Sequence, residues 1–197
     1  MKVAFVIFDR MTALDFIGFY DPVTRLKTMD FLPDMEWQVC ARTTEVHDDK
    51  GLTFRVSRIE ETLEGYDLIF LPGGQGTRTL KDDASFIEWI RSARSCRYKV
   101  SVCTGALILG AAGFLEGRTA TTNPRAYDLL KAYTQRVARE RIVDDREVIT
   151  AGAVACSIDL GLYVCEKFAG AEARSKIQKQ IDYPYQAPPV LRPQPSL

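Results

Sequence analysis

Histidine is almost absent from this 197-residue chain: His47 is the only one. Without another histidine, a Cys-His dyad or triad of protease or amidotransferase type is poorly supported, and a carboxyl partner for a thiol is what remains. His47 stands in Glu45-Val46-His47-Asp48-Asp49-Lys50-Gly51, a charged stretch that reads most simply as a solvated hairpin tip. An excess of either charge is missing too. The 26 Lys+Arg balance 26 Asp+Glu without a basic cluster, so the electrostatic footprint of a nucleic-acid binder is lacking. Long apolar runs are equally scarce. Residues 106–115 form the longest, interrupted by Gly110 and Gly113, whereas a bilayer span needs about 20 residues. Neither nucleic acid nor membrane is an expected partner.

Cysteine is present but unpaired in pattern. Cys40, Cys96, Cys103, Cys156 and Cys165 are odd in number, widely spaced and without a CxxC pair. This argues against a disulfide framework and a zinc site, and for reduced thiols in a cytoplasm. The first apolar run is broken by Asp9 and Arg10 with no small-residue cleavage site after it, so no secretory signal is expected.

Short β-rich runs alternate with segments of helical period, the mark of an α/β domain with a mostly parallel central sheet. Residues 2–8 (KVAFVIF), 37–41, 67–71 (DLIFL) and 98–102 (YKVSV) read as strands. Residues 15–29 and 84–95 read as helices, 46–54 as a hairpin turning at Lys50-Gly51, and 104–112 as a buried helix of small residues. Further on, 123–133 reads as helix, 142–143 and 148–150 as strands around the turn Asp144-Asp145-Arg146, and 157–168 and 171–181 as helices. One domain over 1–182 is expected, then a tail over 183–197. Five of the nine prolines (Pro184, Pro188, Pro189, Pro193 and Pro195) fall in that tail. The expectation is polyproline II without sheet or helix, either a disordered end or a strap on the core or on a second subunit.

Three stretches could carry chemistry. In Tyr98-Lys99-Val100-Ser101-Val102-Cys103-Thr104-Gly105-Ala106 a strand turns at a cysteine into a small-residue helix, the arrangement of a nucleophile elbow. Gly105 removes the Cβ that would block the helix from packing back. A thiol at this turn is expected to gain from the helix macrodipole, which favours the thiolate, and from free N–H groups that hold an anion. A buried structural cysteine is the alternative. In Leu71-Pro72-Gly73-Gly74-Gln75-Gly76 three glycines follow a strand. They read as a plain tight turn, or as an oxyanion hole formed by the Gly74 N–H with that of Thr104. A phosphate cradle fits poorly, since position 79 is Thr and no Gly-Lys-Ser/Thr follows. Finally, Asp15 starts a helix soon after the first strand. It reads either as an N-cap or, if both strands are central and parallel, as the proton partner of Cys103.

These residues resemble the ThiJ/PfpI superfamily, and within it the isonitrile hydratase-like branch. The motifs are FVIFDRMTALDFIG, YDLIFLPGGQGT, SVCTGALILGAAGFLEGRTATT, VITAGAVACSIDLGLYV and IQKQIDYPY, which span nearly the whole chain in order. The resemblance implies a flavodoxin-like three-layer sandwich, a homodimer, and catalytic roles for Cys103, Asp15 and Thr104; beside it, the glycine loop leads to the expectation that Gly73 and Gly74 bind a small-molecule substrate, and no cofactor is expected. Many members carry a histidine after the elbow helix, where this chain reads Thr121-Thr122-Asn123-Pro124; Asp21 replaces a more usual glutamate in the first helix. The implied activity is hydration of an isonitrile to an N-substituted formamide. Capture of a reactive aldehyde, or a redox sensor without enzymatic activity, are the alternatives.

Overall fold

The computed structural model describes residues 1–56, 59 and 62–194; the end of the tail, 195–197 with Pro195, lies outside the described residues. In chain order the elements begin with β1 (Lys2–Val6), α1 (Ala13–Thr28), β2 (Glu36–Cys40) and a hairpin of β3 (Glu45–His47) and β4 (Thr53–Arg55). Next come β5 (Leu68–Leu71), the single turn α2 (Thr77–Leu80), α3 (Ala84–Arg91) with a 3-10 extension (Ser92–Ser95), β6 (Tyr98–Val102) and α4 (Gly105–Ala111). Then follow β7 (Thr119–Ala120), a 3-10 turn (Pro124–Ala126) running into α5 (Tyr127–Leu130), and β8 (Arg136–Val137). The chain closes with β9 (Ile142–Asp145), β10 (Val148–Ala151), α6 (Cys156–Gln180) and β11 (Val190–Leu191).

Seven strands form one sheet in the order β11-β9-β10-β6-β5-β1-β2. Its pairings are parallel except β9 with β10, so the mostly parallel sheet expected from the alternating pattern is present. The strands β1, β5 and β6 are central and their apolar residues are buried on both faces, which is why they read as continuous β-branched and aromatic runs. On one face α1 packs against α6. Gly18 permits this approach, since a Cβ there would run into the Ser157 side chain. Phe19 of α1 stacks on Phe70 of β5 at 3.9 Å, and Phe5 meets both edge-on. On the other face α4 lies over β5 and β6 and touches α2, α3 and α5. The result is the three-layer, flavodoxin-like sandwich.

Several expectations need correction. Residues 123–133 are not one helix: a 3-10 turn precedes α5, because Asn123 Oδ1 accepts the Arg125 N–H and Ala126 leaves helical geometry. Asp144 and Asp145 are not turn residues; both lie in β9 and are buried. Asp144 Oδ2 accepts from the Tyr163 hydroxyl and from the Lys167 ammonium at 2.6 Å, while its Oδ1 is buried without a hydrogen-bond partner, and Asp145 accepts the Thr119 N–H at 2.8 Å. The tail does build sheet. Val190 and Leu191, which keep their N–H groups between prolines, pair in parallel with Ile142 and Val143 at the edge. The two closing helices are separated at Gly170, where φ is +86°.

Candidate active site

The site lies at the carboxyl ends of β1, β5 and β6, where three loops meet. Cys103 follows β6 directly, with φ at +54°, a strained left-handed conformation for a residue with a Cβ. Its backbone is held on both sides. The N–H donates to Ala151 O at 3.1 Å, and the carbonyl accepts from Thr122 Oγ1 at 2.7 Å. Gly105 must lack a side chain here, because a Cβ would press into the Leu71 carbonyl and sit 2.8 Å from Pro72 O. The elbow geometry is therefore present.

The glycine loop after β5 is clasped to the loop after β1. Met11 and Gly74 form an antiparallel bridge, and the Thr12 N–H donates to Gly73 O at 2.8 Å. Gly74 has φ of +134°, and a Cβ on it would sit 2.5 Å from Met11 Cα. Gly73 occupies the centre of the site. The position a Cβ would take on it lies 2.6 Å from Thr104 N, 2.7 Å from Cys103 Cβ and 2.8 Å from Asp15 Oδ2. That one point fixes how close the cysteine and the carboxyl are.

Asp15 is fully buried in the first turn of α1. Thr12, not Asp15, takes the N-cap position, so the capping role falls away. Instead Asp15 Oδ2 accepts the Gly73 N–H at 2.8 Å across the sheet edge, while Oδ1 is buried without a hydrogen-bond partner. Burial raises the Asp15 carboxyl to about 6, against the opposing pull of the Gly73 N–H and the Cys103 thiol. Burial, and then the Asp15 charge, push the Cys103 thiol up to about 11. This corrects the expectation of a resting thiolate: dehydration and a neighbouring carboxylate outweigh the amides at the elbow. At neutral pH the pair carries one proton, which resides on sulfur and faces an ionised carboxylate.

Thr104 is buried, and its hydroxyl is turned to the glycine loop. It accepts the Gly74 N–H at 3.0 Å, and the Thr77 hydroxyl lies 2.9 Å from it and 2.8 Å from Gly74 O, with one proton to give to either. The Gly74 N–H is thus engaged by a side chain, and the Gly73 N–H by Asp15. The donors that act on the sulfur are the Thr104 N–H and Asn123 Nδ2, the latter at 3.3 Å. Sequence reasoning missed Thr77 and Asn123. The signal for Asn123 was the Asn-Pro pair after the elbow helix; for Thr77 there was none. His47 lies exposed in the hairpin beside Asp9, at 3.6 Å. Cys40, Cys96, Cys156 and Cys165 are buried thiols outside any disulfide, and among the described residues no His/Cys/Asp/Glu group is placed to hold a metal ion.

Several known proteins are similar to this chain in sequence and in fold. The chain is 33% identical over 184 residues to isonitrile hydratase of Pseudomonas putida, covering 93% of this chain and 78% of that protein. It is 25% identical over 162 residues to protein DJ-1alpha of Drosophila melanogaster, covering 81% and 72%. Among solved structures, a ThiJ/PfpI family protein from Pseudomonas syringae superposes with a TM-score of 0.81 at 26% identity, covering 94% of this chain and 76% of that one. Residues 1–167 match the DJ-1/PfpI family, and with the elbow and the sheet order above, the chain belongs to it.

Proposed function

We propose that the protein is a cysteine-dependent hydratase that adds water to an isonitrile, R–NC, giving the N-substituted formamide R–NH–CHO. The observation that carries this reading is the closeness of Cys103 and Asp15, whose Cβ and Oδ2 lie 2.7 Å and 2.8 Å from the point a Cβ on Gly73 would occupy. The terminal carbon of an isonitrile accepts a nucleophile only as it gains a proton, so the reaction needs both from one place. As the Cys103 sulfur attacks that carbon, its proton passes to Asp15 and on to the same carbon, giving the thioimidate R–N=CH–S–Cys103. Asp15 then takes a proton from water, which adds to the thioimidate carbon. The proton held by Asp15 passes to the nitrogen, and collapse of the adduct expels the Cys103 sulfur, which regains its proton from the adduct's hydroxyl by way of Asp15 as the formamide leaves. The reaction consumes one water and calls for no oxidant or cofactor.

In this scheme Thr104 contributes its N–H to the charged sulfur, and its hydroxyl holds the Gly73-Gly74 loop in place. Isonitrile hydratase as a relative supports the same reading. Aldehyde capture is less well supported, because the groups that act on the Cys103 thiol are Asp15, Asn123 and Thr104, with no histidine or glutamate among them. Incubation with an alkyl isonitrile and, separately, with methylglyoxal tests the choice. Formamide should appear in the first, lost in Cys103→Ala, with no lactate in the second; lactate without formamide would reverse it.

A homodimer in a reducing cytoplasm belongs to the same proposal. Leu14 and Ile17 are 52% and 45% exposed on α1 beside Asp15, and all five cysteines are thiols rather than disulfides. Sedimentation of the purified chain should give twice the 22.2 kDa mass, and a monomer at all concentrations would reject the dimer.

A further inference from the structure

Asn123 stands outside the mechanism just described, yet its side chain reaches the nucleophile. Its Nδ2 lies 3.3 Å from Cys103 Sγ, and its Oδ1 accepts the Arg125 N–H at 3.0 Å. The second bond decides the meaning of the first. With the carbonyl oxygen committed to the backbone, the amide is not free to flip, so what it presents to the sulfur is a donor. Pro124 adds to this by restricting Asn123 to extended backbone, and Asn123 has φ of −53° and ψ of 133°. Thr122, the preceding residue, bonds Cys103 O at 2.7 Å, so the whole segment is registered against the elbow.

We propose that Asn123 is a catalytic residue: its side-chain amide donates to the Cys103 sulfur and holds the negative charge that gathers there as the proton leaves for Asp15. The assignment rests on the proposed hydration for its place in turnover, but the contact with sulfur stands apart from any substrate. A neutral thiol is a weak acceptor and a thiolate a strong one, so a fixed donor favours the charged form. The groups that face the sulfur are Asp15 from α1, the Thr104 N–H from the elbow and Asn123 from the segment after β7; Asp49 and Lys50 of the hairpin act on Asp15 with opposite signs. Asn123 therefore works against Asp15, which opposes a second charge beside it. The same amide can follow the sulfur through attack and expulsion without moving its anchor.

Two variants separate this role from capping. Asn123→Ala removes both bonds. Asn123→Asp keeps an oxygen for the Arg125 N–H, so the turn is preserved, but it replaces the donor with a second carboxylate. The thiol titration, followed by the ultraviolet absorbance of the thiolate and by iodoacetamide alkylation rate against pH, reads the effect without substrate. The midpoint should rise by about one unit in Asn123→Ala, lowering alkylation at a given pH about tenfold, and by more in Asn123→Asp. With isonitrile, kcat should fall in the same order while KM changes little. A residue that only caps the turn would leave the midpoint of Asn123→Ala at that of the parent, because no donor to the sulfur is lost; an unshifted titration in Asn123→Ala overturns the assignment, whatever the added carboxylate does in Asn123→Asp. If the parent turns over no isonitrile while the titrations shift as stated, the substrate reading fails and the role at sulfur stands.

Discussion

At the residue scale, function and stability pull Asp15 in opposite directions. Burial raises its carboxyl from 3.8 to about 6. The native state thus holds a proton that the unfolded chain has released between those values, and the stability this contributes is present below the lower value and lost as pH rises through the upper one. Asp15→Asn keeps an oxygen for the Gly73 N–H and carries no charge. Relative to the parent it should gain about 2 kcal/mol between pH 4 and pH 8, read from denaturant melts at the two values. An unchanged difference across that range would mean the carboxyl is not buried as described. Turnover should show the pair from the other side. The competent form holds one proton shared by Cys103 and Asp15, so kcat/KM should rise as pH passes about 6 and fall toward about 11, with the lower limb missing in Asp15→Asn.

At the scale of elements, the site is a junction of three strand ends locked by glycines and threonines. Gly73→Ala tests that junction most sharply, because its new Cβ would meet Thr104 N, Cys103 Cβ and Asp15 Oδ2 together. Turnover should fall about 100-fold or more while circular dichroism stays that of the parent. Thr77→Val deletes the hydroxyl that bonds either the Thr104 hydroxyl or Gly74 O. It should cost about 1–3 kcal/mol of stability, measured by thermal melts, with a smaller loss of rate. Much of the junction is legible in the sequence. A β-rich run ending in Cys-Thr-Gly predicts the elbow, since the turn needs a small residue at 105, and the Pro-Gly-Gly run marks the loop facing it. What is not legible depends on neighbours distant in the chain. The thiol's ionisation could not be read because nothing local reports its burial or the Asp15 charge. Gly74 was assigned to an oxyanion, but the Thr104 hydroxyl reaches its N–H first. Asn123 met the sulfur only once β6, β10 and the segment after β7 were stacked.

At the scale of the whole molecule, the sheet has one central trio of strands that carries the chemistry and an outer edge that does not. The edge at β9 is closed by Val190 and Leu191 from the tail, and near it lie the buried Asp144 with Tyr163 and Lys167. One strand, β10, separates β9 from the cysteine's strand β6. Truncation after Gln186 should uncover the edge, lower the melting temperature by about 2–4 °C for each kcal/mol lost, and promote association of β9 edges. Turnover well below the melting range should be kept. A truncated chain that melts like the parent would show that the tail adds nothing to the sheet. This strand was invisible to composition, because five prolines in a short tail point to polyproline II, whereas the two residues that pair are those between the prolines.

The account rests on covalent addition at one sulfur, with the proton supplied by its carboxyl partner. Intact mass of the protein, acid-quenched during turnover of an alkyl isonitrile, tests this directly. The account predicts an adduct equal to the whole isonitrile, located on Cys103 and absent from Cys103→Ser. Formamide produced with no adduct on Cys103, or an adduct on another cysteine, would contradict it.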